Sequence, residues 1–230
     1  MSRLIVTLDG PAGVGKTTVA RMLAQHLGIA YLDTGAMFRA VAWQLGEGAW
    51  EWPQDDVLRV LGRMDFELEG TGAQSVLLFN GLPLPDAIRS EEVGLWASHV
   101  ARISAVREFL RRSQRLIAGQ TSLVAEGRDM GTVVFPQARY KFFLDADPAV
   151  RAQRRYEQLR AMGMEVDLNT LITQIRIRDD QDRNRAVAPL RPAPDAVRID
   201  TGQDDAQGVL RRILEHMDYS LRSPLRSSLA

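Results

Sequence analysis

The sequence contains no cysteine. Disulfide frameworks, thiol nucleophiles and cysteine-ligated zinc are therefore excluded, and a reducing, cytoplasmic setting is expected. Lysine is nearly absent too. Of 29 basic residues only Lys16 and Lys141 are lysines, so 27 are arginines. Neither charge is in excess, because 29 acidic residues bring the formal net charge to zero. A dedicated nucleic-acid or acidic-membrane binder would carry a basic surplus, so neither partner is expected. No apolar run approaches the roughly 18 residues of a membrane span, and Leu4-Ile5-Val6-Thr7-Leu8 is too short for a signal-peptide core. The three histidines (His26, His99, His216) share no motif and are read as structural, and the tryptophans as packing or surface.

The remaining composition is that of a globular protein: 230 residues, 45% hydrophobic and 25% charged. One domain, or one domain with an inserted lobe, is expected. Residues 3–8 form a β-branched run closed by Asp9-Gly10 and read as a buried strand. A helix is predicted from Gly15 to about Gly28, with Val19, Met22, Leu23 and Leu27 on one face. A strand over 29–32 and a helix over 34–45 follow, which opens a parallel α/β unit. The middle differs. Runs at 66–69 and 75–79, separated by Gly70-Thr71-Gly72 and followed by Asn80-Gly81, predict an antiparallel meander before a helix-rich stretch from 90 to about 119. The α/β pattern resumes with strands at 122–125 and 140–144 and helices at about 148–162 and 168–185, then a strand at 196–200 and a helix at 204–218. The expected fold is α/β, with three layers around a central parallel sheet. Its expected divisions are a core of 1–61 and 107–218, an inserted lobe of 62–106, a lid over about 148–190 and a flexible tail of 219–230.

Gly10-Pro11-Ala12-Gly13-Val14-Gly15-Lys16-Thr17 matches G-x-x-x-x-G-K-[ST] between a strand and a helix, with Thr18 next. Glycines let the backbone curl so that its N–H groups and the helix end cradle phosphates. Lys16 would reach the β- and γ-phosphates, and the Thr17 hydroxyl would ligate Mg²⁺. This marks a nucleoside-triphosphate site. Neither lysine follows an asparagine, so the guanine-reading element of a GTPase is missing. A small-molecule kinase becomes the leading class.

Candidate acceptor-side groups lie further along. Asp33-Thr34-Gly35 with Arg39 one turn on reads either as an N-cap with an exposed arginine or as a guanidinium facing a phosphate. Glu126-Gly127-Arg128-Asp129-Met130-Gly131 follows a core strand, at the sheet edge where ligands of parallel sheets bind. In the charge run 176–185, Arg178, Asp182 and Arg185 share one helical face, while Arg176, Asp179, Asp180 and Arg183 form another charged surface. Such a run is either a solvated face or a lid that meets phosphates on closing. Arg151, Arg154 and Arg155 are either a basic helix face or neutralising groups for the transferring phosphoryl.

Taken together these words resemble the bacterial cytidylate kinases, the short-chain CMP/dCMP kinases of the nucleoside monophosphate kinase group. The matching stretches are Asp9–Thr17, Leu32–Gly35 with Arg39, Ile88–Glu91, Val106–Glu108, Glu126–Pro136 and Arg178–Leu190, in the family's order across about residues 4–218. The resemblance implies a P-loop NTPase fold with an enlarged monophosphate-binding lobe and a helical lid, and phosphoryl transfer from ATP, with Mg²⁺, to CMP or dCMP. It implies that Ser98, Arg107 and Asp129 read the cytosine. Arg39 and Arg128, with Arg185 nearby and Thr34 beside them, would hold the monophosphate. Arg178 and Asp182 would approach the sugar, and Arg154 or Arg155 would be a lid arginine on the ATP side. Lys16, Arg128, Arg154 and Arg155 are thus the expected catalytic groups. Phe38 stands where the family commonly has tyrosine, which removes one hydroxyl, and Thr34 where serine is common. Small-molecule partners and a monomer are expected. The competing readings are a P-loop kinase acting on UMP, AMP or shikimate, and a non-enzymatic nucleotide sensor or RNA-binding P-loop protein.

Overall fold

A computed structural model of the chain describes residues 3–218; the tail predicted over 219–230 lies outside the described residues. β1 (Ile5–Asp9), α1 (Lys16–Leu27), β2 (Ala30–Asp33) and α2 (Thr34–Leu45) come first, as the sequence predicts. α1 stops at Gly28, whose φ of 62° lets its N–H bond back to Ala24 and Gln25. α2 starts because the Asp33 carboxylate accepts from the Ala36 N–H at 2.9 Å.

The next segment adds an unpredicted element, α3 (Gln54–Leu61), after a 3₁₀ turn at Ala49–Glu51. Asp55 and Asp56 suit its first turn, and Val57 and Leu61, four apart, bury one face. β3 (Phe66–Glu69), β4 (Val76–Phe79) and β5 (Leu82–Pro83) form the expected antiparallel meander. The helix-rich stretch resolves into α4 (Glu91–Val100) and α5 (Ser104–Gln120). Between them Arg102 and Ile103 bond back three residues, to His99 and Val100, a tightening that no proline or glycine announces.

β6 (Leu123–Gly127) runs two residues further than predicted, because Glu126 and Gly127 still pair with Leu8 and Asp9 of β1. A single wide π turn, Met130–Val134, follows. β7 (Tyr140–Asp145), α6 (Pro148–Ala161), α7 (Leu168–Asn184), β8 (Val197–Asp200) and α8 (Ala206–Glu215) complete the described chain.

The main sheet has the order β2-β6-β1-β7-β8, with every pair parallel. Helices cover both faces, so the strands are nearly continuous apolar runs. Val6, Leu8, Val124, Phe142 and Ile199 pack against Val19 and Leu23 of α1 and Ile213 of α8. On the opposite face Leu32, Leu123 and Ala125 join Met37 of α2 and Val106 and Leu110 of α5. Each buried leucine, phenylalanine or valine of this kind stabilises the fold by about 1.5–3 kcal/mol. Phe66 and Phe79 of the meander enter that second core. The meander also covers the edge of β2, where Gly72 N–H donates to Ile29 O at 2.8 Å and Tyr31 N–H to Ser75 Oγ at 2.9 Å. Among the described residues no helix is long and apolar enough to cross a membrane.

Candidate active site

The carboxyl ends of β1, β2 and β6 lie side by side, so the loops leaving them meet at one edge of the sheet. The loop at 10–15 turns over that edge. Gly10 has φ 152°, and a Cβ there would lie 2.1 Å from the Leu144 carbonyl oxygen, so a side chain is impossible. No side chain caps the start of α1, which leaves its first amides and positive end open to an anion. The Lys16 ammonium donates to Pro11 O at 2.7 Å within the loop. Burial and the nearby Arg128 charge draw its pKa well below the usual lysine range, while Glu126 and Asp9 oppose that drop.

Two buried carboxylates flank it. Asp9 accepts from the N–H groups of Met130 and Gly131, both at 2.8 Å, which pins the π turn to β1. Burial pushes its carboxyl up to about 6 despite those bonds. Glu126 accepts from the Thr17 hydroxyl at 2.8 and 3.1 Å and from the Tyr31 hydroxyl. Burial also raises Glu126, with the Asp33 charge adding and Lys16 opposing. The sequence reading gave Glu126, Asp9 and Tyr31 no role. A carboxylate at the end of the strand beside the P-loop strand was the available signal for Glu126.

Among the described residues no three His, Cys, Asp or Glu side chains are arranged to hold a metal unaided. Mg²⁺ does not need that: it takes one or two carboxylates with substrate phosphates and keeps several waters. The Thr17 hydroxyl and Glu126 carboxylate are hard oxygen donors at the P-loop, and they fit the ion in company with a nucleotide.

Across the cleft, arginines alternate with carboxylates. Arg107 of α5 pairs with Asp129, and Arg185 lies 3.7 Å from the other Asp129 oxygen. Arg185 also lies 3.9 Å from Asp182 of α7, which accepts from Arg128 Nε at 2.9 Å. Burial alone would raise the Asp182 carboxyl, but the Arg128 charge and hydrogen bond, with Arg185 and Arg178, hold it below the usual range. Arg178 faces Arg128, Asp182, Arg39 and Glu91, and burial leads the lowering of its pKa. Arg185 keeps one buried guanidinium nitrogen without a hydrogen-bond partner. Arg39 donates to Ile88 O at 3.1 Å and Ser90 O at 2.8 Å. Asp33 thus caps the helix, and Arg39, instead of standing exposed, is half-buried against the turn at 88–90. Thr34 spends its hydroxyl on Glu126 O at 2.6 Å.

Arg107 and Asp129 line a cavity of about 280 Å³ with Phe38, Leu110, Gln114 and Met130. The Phe38 ring, without the family's usual hydroxyl, lies 5.6 Å beneath the Arg107 guanidinium. Ser98 is half-buried outside that lining, and its hydroxyl donates to Gly94 O at 3.2 Å. Gly94 is a further unpredicted element of the site. A Cβ there would meet the Arg39 guanidinium at 2.8–2.9 Å.

The three arginines of α6 part ways. Arg155 reaches Glu91 of α4, across the cleft. Arg154 donates to the carbonyl of Thr201, beyond β8. Arg151, read from sequence as a basic face or a phosphate-neutralising group, is neither. It is fully buried and donates to Ala146 O and Ala12 O, each at 2.9 Å, and to both oxygens of Asp179. Asp179, assigned to a charged surface, is the buried residue of α7, because that face turns toward α6. The pair ties α7 to the P-loop. Thr18 lies exposed on the first turn of α1.

Comparison with known proteins agrees with this arrangement. The family model described as cytidylate kinase matches residues 6–219. The chain is 58% identical to the cytidylate kinase of Maridesulfovibrio salexigens over 91% of its own length and 94% of that protein. It is 57% identical to that of Oleidesulfovibrio alaskensis over 93% and 98%, and 55% identical to that of Nitratidesulfovibrio vulgaris over 93% and 92%. A P-loop under a parallel sheet, an arginine–carboxylate chain facing it, and matches at this level over nearly the whole length lead to one conclusion: the chain belongs to the cytidylate kinase family.

Proposed function

We propose that the protein transfers the γ-phosphoryl group of ATP to CMP or dCMP, giving ADP and CDP or dCDP, with Mg²⁺ at the donor site. The observation that carries this reading is the buried Asp129 carboxylate, held by Arg107 at the wall of a base-sized cavity and joined through Arg185 and Asp182 to Arg128. Asp129 accepts from the 4-amino group of cytosine while Arg107 donates to the base's acceptors. Uracil presents a carbonyl where the amino group was and leaves two acceptors opposed. A site built on such pairs rejects the wrong partner by orders of magnitude.

Arg39, Arg128 and Arg185 bind the monophosphate, and Arg178 and Asp182 approach the sugar. The lobe of 62–106 and the lid of about 148–190 close over the two nucleotides and exclude water, which would otherwise take the phosphoryl group. The attacking oxygen belongs to an anionic phosphate, so no strong base is required. It bonds to the γ-phosphorus as the bond to the ADP oxygen breaks. Alignment and charge neutralisation carry the rate, with Lys16 and the P-loop amides on the donor and arginines, Arg155 or Arg154 among them, on the transferring group. Mg²⁺ would be held by the Thr17 hydroxyl and the Glu126 carboxylate and would supply charge neutralisation to the bound phosphates. One chain furnishes both sites, which supports a working monomer, and its nucleotide substrates support a cytoplasmic setting.

ADP release from Mg-ATP, measured across CMP, dCMP, UMP, AMP and shikimate with a no-acceptor control, tests the reading. Turnover with CMP and dCMP well above UMP is expected, and Asp129→Ala should erase that preference. Release without acceptor, or an unchanged preference in the variant, would overturn the base-reading assignment.

A further inference from the structure

Tyr31 has no part in the chemistry above, yet it touches its donor-side anchor. It lies on β2, with its side chain in the core between the sheet and α1 and the Arg21 guanidinium 5.2 Å from its ring. Its hydroxyl donates to Glu126 Oε1, the same oxygen that accepts from Thr17 at 2.8 Å. Tyr31 and Thr17 therefore meet on one buried carboxylate, reached from 95 and 109 residues away in sequence.

We propose that Tyr31 is a positioning residue: its hydroxyl holds Glu126 toward the P-loop so that Thr17 donates its proton there. A hydroxyl that donates away keeps its oxygen lone pairs available to a cation. A tyrosine does this more rigidly than a water molecule, because core packing of its ring fixes where its oxygen lies. This rests on the reading of Thr17 and Glu126 as the Mg²⁺ donors. Groups that orient metal ligands in this way typically change metal affinity or activity by about 10–100-fold when removed.

Tyr31→Phe keeps the ring and its packing and deletes only the donor. ATP binding to wild type and variant is measured by calorimetric titration in Mg²⁺ and in EDTA, with CMP binding as a check on the fold. The variant should lose about 10-fold or more of its affinity for ATP in Mg²⁺ while its affinities for ATP in EDTA and for CMP change by less than about twofold. The KM for CMP should likewise hold while the Mg²⁺ concentration for half-maximal rate rises. Parallel losses in Mg²⁺ and EDTA, or no loss in either, overturn the positioning role. If wild-type ATP binding is indifferent to Mg²⁺, the donor-site metal reading falls first and takes this proposal with it.

Discussion

The donor cradle presents one side-chain cation, Lys16, and otherwise relies on backbone amides, glycine geometry and two buried carboxylates. The acceptor side gathers Arg39, Arg107, Arg128, Arg178 and Arg185 from separate segments and threads Asp129 and Asp182 between them. The first is a preformed cavity for charge: its lysine is desolvated and ready for an anion. The second is a cluster of like charges with the carboxylates of Asp129 and Asp182 set among them, which offset part of that charge. One arrangement suits a ligand whose phosphates are always the same. The other suits the base-reading role proposed for it, since Arg107 and Arg128 are each held by a carboxylate, Asp129 and Asp182.

That contrast can be broken most severely at Lys16. Lys16→Ala should lower kcat by about 10²–10³-fold or more, the cost of deleting one preorganised charge-stabilising group. CMP affinity should remain close to wild type. Steady-state kinetics with equilibrium CMP titration check both, and a parallel loss of CMP binding would mean the two halves are not separable.

Next in size is the tie between them. Arg151→Met leaves Asp179 buried without its partner and the Ala12 carbonyl without a donor. Breaking a buried pair from one side costs about 3–5 kcal/mol of stability, read by chemical denaturation. Adding Asp179→Leu should restore a part of it, because an apolar pair of similar volume removes the orphaned charge. The smallest effect is expected on the acceptor side alone. Gly94→Ala crowds the Arg39 guanidinium, and the KM for CMP should rise about tenfold, one charge-assisted hydrogen bond's worth, with the KM for ATP unmoved.

How far the site was legible follows the same division. The phosphate loop is contiguous, so its eight residues carried their meaning without the fold. The bounds of α2 were predictable for a local reason too, a carboxylate cap three residues from its amide. What escaped depends on the chain's return. Arg151 and Asp179 are 28 residues apart, and spacing alone cannot tell which side of a charged helix turns inward. Glu126 was quoted in a motif but acquired a role only when Thr17 and Tyr31 were seen to converge on it. The break between α4 and α5 carries no glycine or proline, so periodicity ran the two together. The charge run near 180 is charged on more than one side, but Asp179, placed on a charged surface, turns inward to Arg151.

The scarcity of lysine has a practical consequence in the folded state. Lys16 is 7% and Lys141 5% exposed, and the Lys141 ammonium is paired with Asp195. Reagents that acylate or alkylate side-chain amines therefore find both targets shielded, and can modify them only when the surrounding structure opens. In this arginine-rich chain, amine chemistry becomes a clock for the opening of the phosphate loop.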